Sequence, residues 1–181
     1  IIHMIRCFDS ESIQNVNSNV DPIRDLEIIQ TEMQLADIES IQKRLDKKNK
    51  KNVDIEELKL LEASQKIIDE DGDLTLITNK FDEKLLKNSG LLSIKPKLYV
   101  CNVDEKSIKS GNKYTEEFIK KFDEKNTLII SADIENQINQ LEDENEKKNY
   151  MKMISMSETG LNSLIRKGYE LLSLQTFFTS G

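Results

Sequence analysis

Chain breakers are scarce, with only two prolines and six glycines in 181 residues. That disfavours sandwiches, barrels and collagen-like repeats and favours helix. Cysteine is limited to Cys7 and Cys101, each inside a short apolar run. A disulfide scaffold is thereby excluded, and the pair reads as two reduced core thiols of a cytoplasmic protein. Histidine occurs once, at His3, with no Cys, Asp or Glu at ligand spacing. HExxH, zinc-finger, Ser-His-Asp and Cys-His chemistry are excluded, no metal ligand or catalytic residue is expected in this chain, and His3 reads as a core residue of a strand. No apolar run approaches the roughly 20 residues of a membrane span, so no membrane partner is expected. Basic charge is outweighed, with 26 Lys+Arg against 33 Asp+Glu and a net charge of −7. A broad grip on DNA is not expected, which leaves room only for local basic patches. Position 1 is not Met, and the opening IIHMIRCF has no basic region before it. No signal peptide is expected, and the chain is expected to be a fragment of a longer protein.

What is present is a core-forming 37% of hydrophobic residues beside 33% charged ones. Ile1 to Phe8 reads as a buried strand, KLYVCNV (97–103) as a second and TLIIS (127–131) as a third. Asp21-Pro22 opens a helix running to about Lys48, with Leu26, Ile29, Met33, Ala36, Ile38, Ile41 and Leu45 on an apolar face. Asp54-x-x-Glu57 fits a capping box for a second helix, with Ile55, Leu58, Leu61 and Ile68 on one side, ending near Asp71-Gly72. Asn79 is expected to cap a third helix. Tyr114–Phe122 reads as helix, Asp133–Ile154 as one or two helices, and Ser157 as the cap of a last helix over Leu161–Leu172. LQTFFTSG then begins something extended. Alternating strand and helix predicts an α/β parallel sheet. Nearly ninety residues separate the first strand from the second, far more than a crossover needs. An antiparallel helical hairpin is therefore predicted as an insertion over residues 21–93, with 1–20 and 94–181 forming the sheet domain.

The chemistry is expected at strand ends, where α/β sheets bind ligands. The second strand runs into Asn102-Val103-Asp104-Glu105 and the third ends at Ser131-Ala132. An Asn-x-x-acid and a Ser-Ala pair on two strand ends match the base-reading arrangement of P-loop GTPases, Asn-Lys-x-Asp and Ser-Ala. In guanine readers the Asp accepts from the ring N–H and exocyclic amine, where adenine presents an acceptor instead. Glu105 is one methylene too long to keep that fork. The Asn102 amide could accept from adenine N6 and donate to N7, and Val103 could offer an apolar contact. NVDE thus leans toward adenine or toward relaxed choice. Ser131 is also a natural helix N-cap. Phe8, at the end of the first strand, is a further candidate for base contact, with a core or rim position as its other reading.

These residues, with RCFDS near the start, DPIRDLEIIQTEMQLADIE in the first long helix and LQTFFTSG at the end, resemble the YchF/Obg-like ATPase family over essentially the whole chain. The resemblance implies a Ras-like nucleotide domain, a helical coiled-coil insertion, a C-terminal TGS domain, ribosome association and a preference for ATP with Mg²⁺. Asn102 and Glu105 match its Asn-x-x-Glu motif. On that reading the chain is a central fragment, carrying the C-terminal half of the nucleotide domain and the insertion. It contains no G-x-x-x-x-G-K-[ST] to hold phosphates, so ATP hydrolysis is not expected of this chain.

A basic cluster, Lys43, Arg44, Lys47, Lys48, Lys50 and Lys51, falls at the predicted hairpin tip. Its readings are a solvated turn or a contact with ribosomal RNA or another acidic partner. Two alternative functions remain open: a helical-hairpin adaptor without catalysis, and a GTPase with relaxed base choice.

Overall fold

The structure is a computed structural model and describes residues 1–10, 19–47, 54–70, 72–122 and 124–179. Its centre is a parallel sheet of three strands, β1 (Ile2–Arg6), β2 (Leu98–Asn102) and β3 (Thr127–Ile130), in the order β1-β2-β3. Ile5 lies opposite Cys101, and Cys101 opposite Ile129. Seven helices follow the strands: α1 (Pro22–Lys47), α2 (Ile55–Asp69), α3 (Glu83–Asn88), α4 (Lys113–Lys121), α5 (Ala132–Gln140), α6 (Glu144–Met153) and α7 (Gly160–Leu171). The chain is α/β, as the alternation of patterns predicts. It divides into two compact units, residues 1–26 with 96–181 and residues 27–95.

In the first unit the central strand β2 is apolar on both faces, as a buried parallel strand requires. Tyr99, Cys101 and Val103 share one face with Ile5 and Cys7 and pack against Phe118 of α4 and Leu26. Tyr99, Phe118 and Phe122 form an aromatic cluster, with the two Phe rings 4.6 Å apart and Tyr99 edge-on to Phe118 at 5.6 Å. Ile23 and Leu26 pack in this core, so the first turn of α1 belongs with the sheet. Helix α7 contacts β2 and β3. A Cβ on Gly160 would stand 2.9 Å from Ile130 Cγ2 and 3.0 Å from Glu135 Oε1, so glycine permits this close approach. Glu135 accepts from the N–H groups of Gly160 and Leu161, satisfying the donors that open α7. β1 is an edge strand of the sheet. It buries His3 and Ile5 but turns Ile2 and Met4 to solvent, Met4 being 59% exposed.

Cys7 and Cys101 are free and fully buried. A hydrogen bond between the two thiols, reinforced by burial, holds the Cys7 thiol far above its ordinary pKa. Both are core residues, as their apolar surroundings predict.

The second unit holds the rest of α1, α2, a 3₁₀ turn at Leu74–Asn79, and α3. Its core joins Ile41, Leu61 and Leu91 with Leu45, Ile68 and Ile94. Arg44 bonds Glu57 while Ile41 shares a cluster with Leu61, an antiparallel register. Asp37, 2% exposed, accepts from the backbone N–H of Leu92 at 2.7 Å and of Ser93 at 2.8 Å. That staple explains why the buried stripe of α1 runs through Met33, Asp37 and Ile41 while Ile29 and Ala36 face solvent, a departure from the expected apolar face.

The helix caps depart further from expectation. Asp82, not Asn79, caps α3 through the N–H groups of Lys84 and Leu85. Asn79 instead ends the 3₁₀ turn, which Asp73 opens. Thr159, not Ser157, caps α7. Asp54 does cap α2 by accepting from Glu56 N–H, but Glu57 bonds Arg44 rather than closing a capping box. Asp71 lies outside the described residues. Among those residues no helix is long and apolar enough to cross a membrane.

Candidate base-recognition site

All three strands are parallel, so their carboxyl ends share one end of the sheet. Asn102 ends β2, opposite Ile130 at the end of β3. Its side-chain Oδ1 accepts from the N–H of Ala132 at 3.0 Å. One hydrogen bond thus joins the two strand ends singled out by the sequence. The Asn102 carbonyl accepts from Cys7 N–H at 2.8 Å, which draws in the exit of β1. With Oδ1 held by Ala132, the amide group left entirely to a ligand is the Nδ2 donor. The bond expected from adenine N6 would share Oδ1 with Ala132 through the oxygen's second lone pair.

Val103 is a correction. Its side chain is 2% exposed and packs in the core with Cys101 and Ile5, and its N–H donates to Ile130 O. Side chains alternate along a strand, and Val103 falls on the same face as Tyr99 and Cys101. The apolar base contact expected of it is replaced by a core role.

Ser131 occupies the N-cap position of α5 but makes no side-chain capping bond. Its hydroxyl is buried with no hydrogen-bond partner, and Ala132 beside it is exposed. Phe8 is half-buried beyond β1, with the Arg6 guanidinium 5.1 Å from its ring centroid and donating to its carbonyl. That cation covers Phe8 and gives it a rim position.

Glu105 begins a short 3₁₀ turn, Glu105–Ser107, whose opening N–H groups are served by Asp104 through Ser107 N–H at 3.1 Å. The Glu105 carboxylate accepts from the Gln137 side-chain amide of α5. The Gln137 carbonyl oxygen in turn accepts from the Tyr150 hydroxyl of α6. Glu105 is thus tethered by a chain of hydrogen bonds across two helices.

Asn112 is a site-supporting residue that the sequence reading missed. It caps α4 through Tyr114 and Thr115 N–H, with Thr115 Oγ1 accepting from Asn112 N–H in return, and its Nδ2 donates to Cys7 O at 2.7 Å. The legible signal was Asn112-x-x-Thr115 ahead of an amphipathic run. Gly111 before it has φ +69°, and a Cβ there would meet Thr115 Oγ1 at 2.5 Å, so the capping turn needs glycine. Tyr114 hydroxyl donates to Asp9 at 2.8 Å, and that carboxylate holds the phenol above its ordinary pKa.

The basic cluster separates into unlike parts. Arg44 donates to Ser89 O at 2.6 Å and to Glu57, so it staples its own unit and is not a spare cation. Lys43 is exposed and pairs with Glu39 at 2.6 Å. Lys47 ends α1, and Lys48, Lys50 and Lys51 lie outside the described residues. Among the described residues no three His, Cys, Asp or Glu side chains converge to hold a metal ion.

The fold is shared with known proteins. The "Ribosome-binding ATPase YchF" of Haemophilus ducreyi is 34% identical over 187 residues, covering 99% of this chain and 51% of its own length. The Bacillus subtilis protein of the same name is 33% identical over 192 residues, covering 100% and 52%. A solved structure, described as the Schizosaccharomyces pombe YchF GTPase, superposes with a TM-score of 0.69 at 28% identity, covering 99% of this chain and 52% of that one. The chain spans about half the length of the curated relatives it matches. No family model matches it.

Proposed function

Because this chain belongs to the YchF family, matching its members along essentially its whole length, we propose that it supplies the base-recognition side of a purine-nucleotide site in a ribosome-associated, YchF-type ATPase. The observation that carries this reading is the Asn102 Oδ1 bond to Ala132 N–H. It fixes the amide between two parallel strand ends and bonds its oxygen to the protein. Nδ2 is then a donor matched to N7, which both purines present. Choice between the purines falls to the other edge of the ring. Guanine carries a ring N–H and an exocyclic amine there and needs an acceptor, whereas adenine carries an acceptor. Glu105 stands where guanine readers keep their Asp, and its carboxylate is held by Gln137. A carboxylate tethered through Oε1 is not free to turn and fork onto guanine's two donors, which favours ATP over GTP.

Without a phosphate-binding loop motif, this chain reads the base but does not turn over ATP. Affinity is correspondingly weak, so the test is titration with ATP followed by NMR amide shifts. Shifts are expected at residues flanking Asn102 and Ala132 and are expected to vanish in Asn102→Ala. Shifts elsewhere, or unchanged in that variant, would remove the base site.

A second reading has its own support. Residues 27–95 form a compact unit with their own core and backbone staple, suited to act as a ribosome- or protein-binding hairpin adaptor. Partner binding that survives Asn102→Ala but fails on deletion of that unit would favour the adaptor. Equal competition by GTP and ATP would favour a GTPase of relaxed base choice.

A further inference from the structure

We propose that Gln137 and Tyr150 set the purine preference of this site, by withholding the Glu105 carboxylate from guanine. The inference rests on the base-site reading above and adds specificity-determining residues on helices that follow both motif segments.

The argument runs from donor and acceptor types. A carboxylate three residues beyond Asn102 is the one side chain of the NVDE segment able to accept from guanine's ring N–H and exocyclic amine. Asp104, the other acid of the segment, is occupied in capping its own turn through Ser107 N–H. The Glu105 carboxylate, however, is bonded by the Gln137 amide nitrogen. A side-chain amide can turn over, presenting either its NH₂ or its oxygen to a neighbour. Here the Tyr150 hydroxyl donates to the Gln137 oxygen, so the NH₂ is directed at Glu105. Tyr150 thereby fixes which end of Gln137 meets the carboxylate. The bond holds the carboxylate through Oε1, and this tether to α5 is what keeps Glu105 from turning both oxygens onto guanine's two donors.

Removing the lock has a signed consequence. In Gln137→Leu, of similar size and without hydrogen-bonding groups, Glu105 is freed. Although one methylene longer than the Asp of guanine readers, it is then free to turn toward guanine's donors, and its charge is free to approach the ring nitrogen acceptor of adenine. GTP binding rises and ATP binding falls. A hydrogen bond to a charged group is worth enough to move the ratio of the two dissociation constants by about ten-fold or more. Tyr150→Phe leaves Gln137 in place but free to rotate, and moves the ratio in the same direction by less.

The experiment titrates this 181-residue chain with ATP and with GTP in the millimolar range, following amide shifts by NMR. The proteins are wild type, Gln137→Leu, Tyr150→Phe and the double variant Gln137→Leu/Glu105→Ala. The expected result is a shift toward GTP in both single variants, abolished in the double variant. Equal weakening of both nucleotides, or an unchanged ratio, would show that Gln137 is a structural brace and overturn the inference. A shift that persists without Glu105 overturns the route through the carboxylate. Should Gln137→Leu fail to fold, Tyr150→Phe alone decides by the same criterion. Failure of the underlying reading has a different signature: wild type binds neither nucleotide, and the inference falls with it.

Discussion

Asn102 serves two structures with one residue. Its carbonyl holds the exit of β1 through Cys7 N–H, and its side-chain oxygen holds the entry of α5 through Ala132 N–H. Asn102→Ala therefore removes the proposed ligand donor and loosens a strand end, whereas Asn102→Asp keeps the acceptor, removes the donor and adds a negative charge. Loss of ATP-dependent NMR shifts in both variants, with unfolding close to wild type for Asn102→Asp, is the expected pattern. His3 supports a pH prediction at the same scale. Burial above all, then the charges of Lys97 and the amino terminus, holds its imidazole below the ordinary value of 6.5. Its buried Nε2 has no hydrogen-bond partner, and the ring stacks on Tyr99 at 5.7 Å. The unfolded chain binds a proton that the folded chain resists, so this residue's contribution to stability is full above 6.5 and is lost as pH falls below it. Urea unfolding from about pH 7.5 to 5 is expected to show a steeper loss of stability for wild type than for His3→Phe, which keeps the stacking surface.

Among the elements, α1 and α2 show what holds the second unit together. Asp37 satisfies two backbone donors that would otherwise be buried unpaired. Asp37→Ala orphans both, at roughly 1–3 kcal/mol each, and Asp37→Asn keeps one acceptor while setting its NH₂ against the other donor. Urea denaturation of this chain is expected to rank stability as wild type, then Asn, then Ala. The basic cluster divides along the same line. Replacing Lys43, Lys47, Lys48, Lys50 and Lys51 by Glu is expected to leave the circular dichroism spectrum intact and to weaken co-sedimentation with ribosomes. Arg44→Glu is expected to lower stability instead, since it breaks the bonds to Ser89 and Glu57. Unchanged sedimentation of the lysine variant would remove the hairpin tip from the ribosome contact.

Local pattern made much of this visible in advance. The three strands announce themselves through β-branched apolar runs, and the hairpin through three- and four-residue spacing around Met33, Ile41 and Leu61. The cap of α3 is hard to place from sequence because residues 73–82 offer Asp73, Asn79 and Asp82 as rivals, and Asn79 is taken up in the 3₁₀ turn that Asp73 opens. Val103 was misassigned because the motif drew attention to its position and away from the alternation it shares with Cys101. The Glu105–Gln137–Tyr150 chain left no local trace at all. Its members sit on three elements, and only the packing of α5 and α6 brings them together.

At the scale of the whole molecule, charge and motif content limit what this chain does alone. It is expected to show ATP turnover no faster than buffer in a phosphate-release assay, because its sequence holds no G-x-x-x-x-G-K-[ST] loop to position and neutralise a transferring phosphoryl. Turnover that is lost in Asn102→Ala would contradict this. The sheet carries a second consequence, for the order of assembly. The Asn102–Ala132 bond closes a loop of 30 residues, whereas the amino-terminal bond to Pro96 closes one of 95. Chain-entropy scaling makes the longer closure costlier by about 1 kcal/mol. The junction of the β2 and β3 ends is thus a local product that can nucleate on its own, with β1 arriving last. In pulse-labelling hydrogen exchange, amides of Val100 to Val103 that bond to β3 are expected to gain protection before Cys7 does.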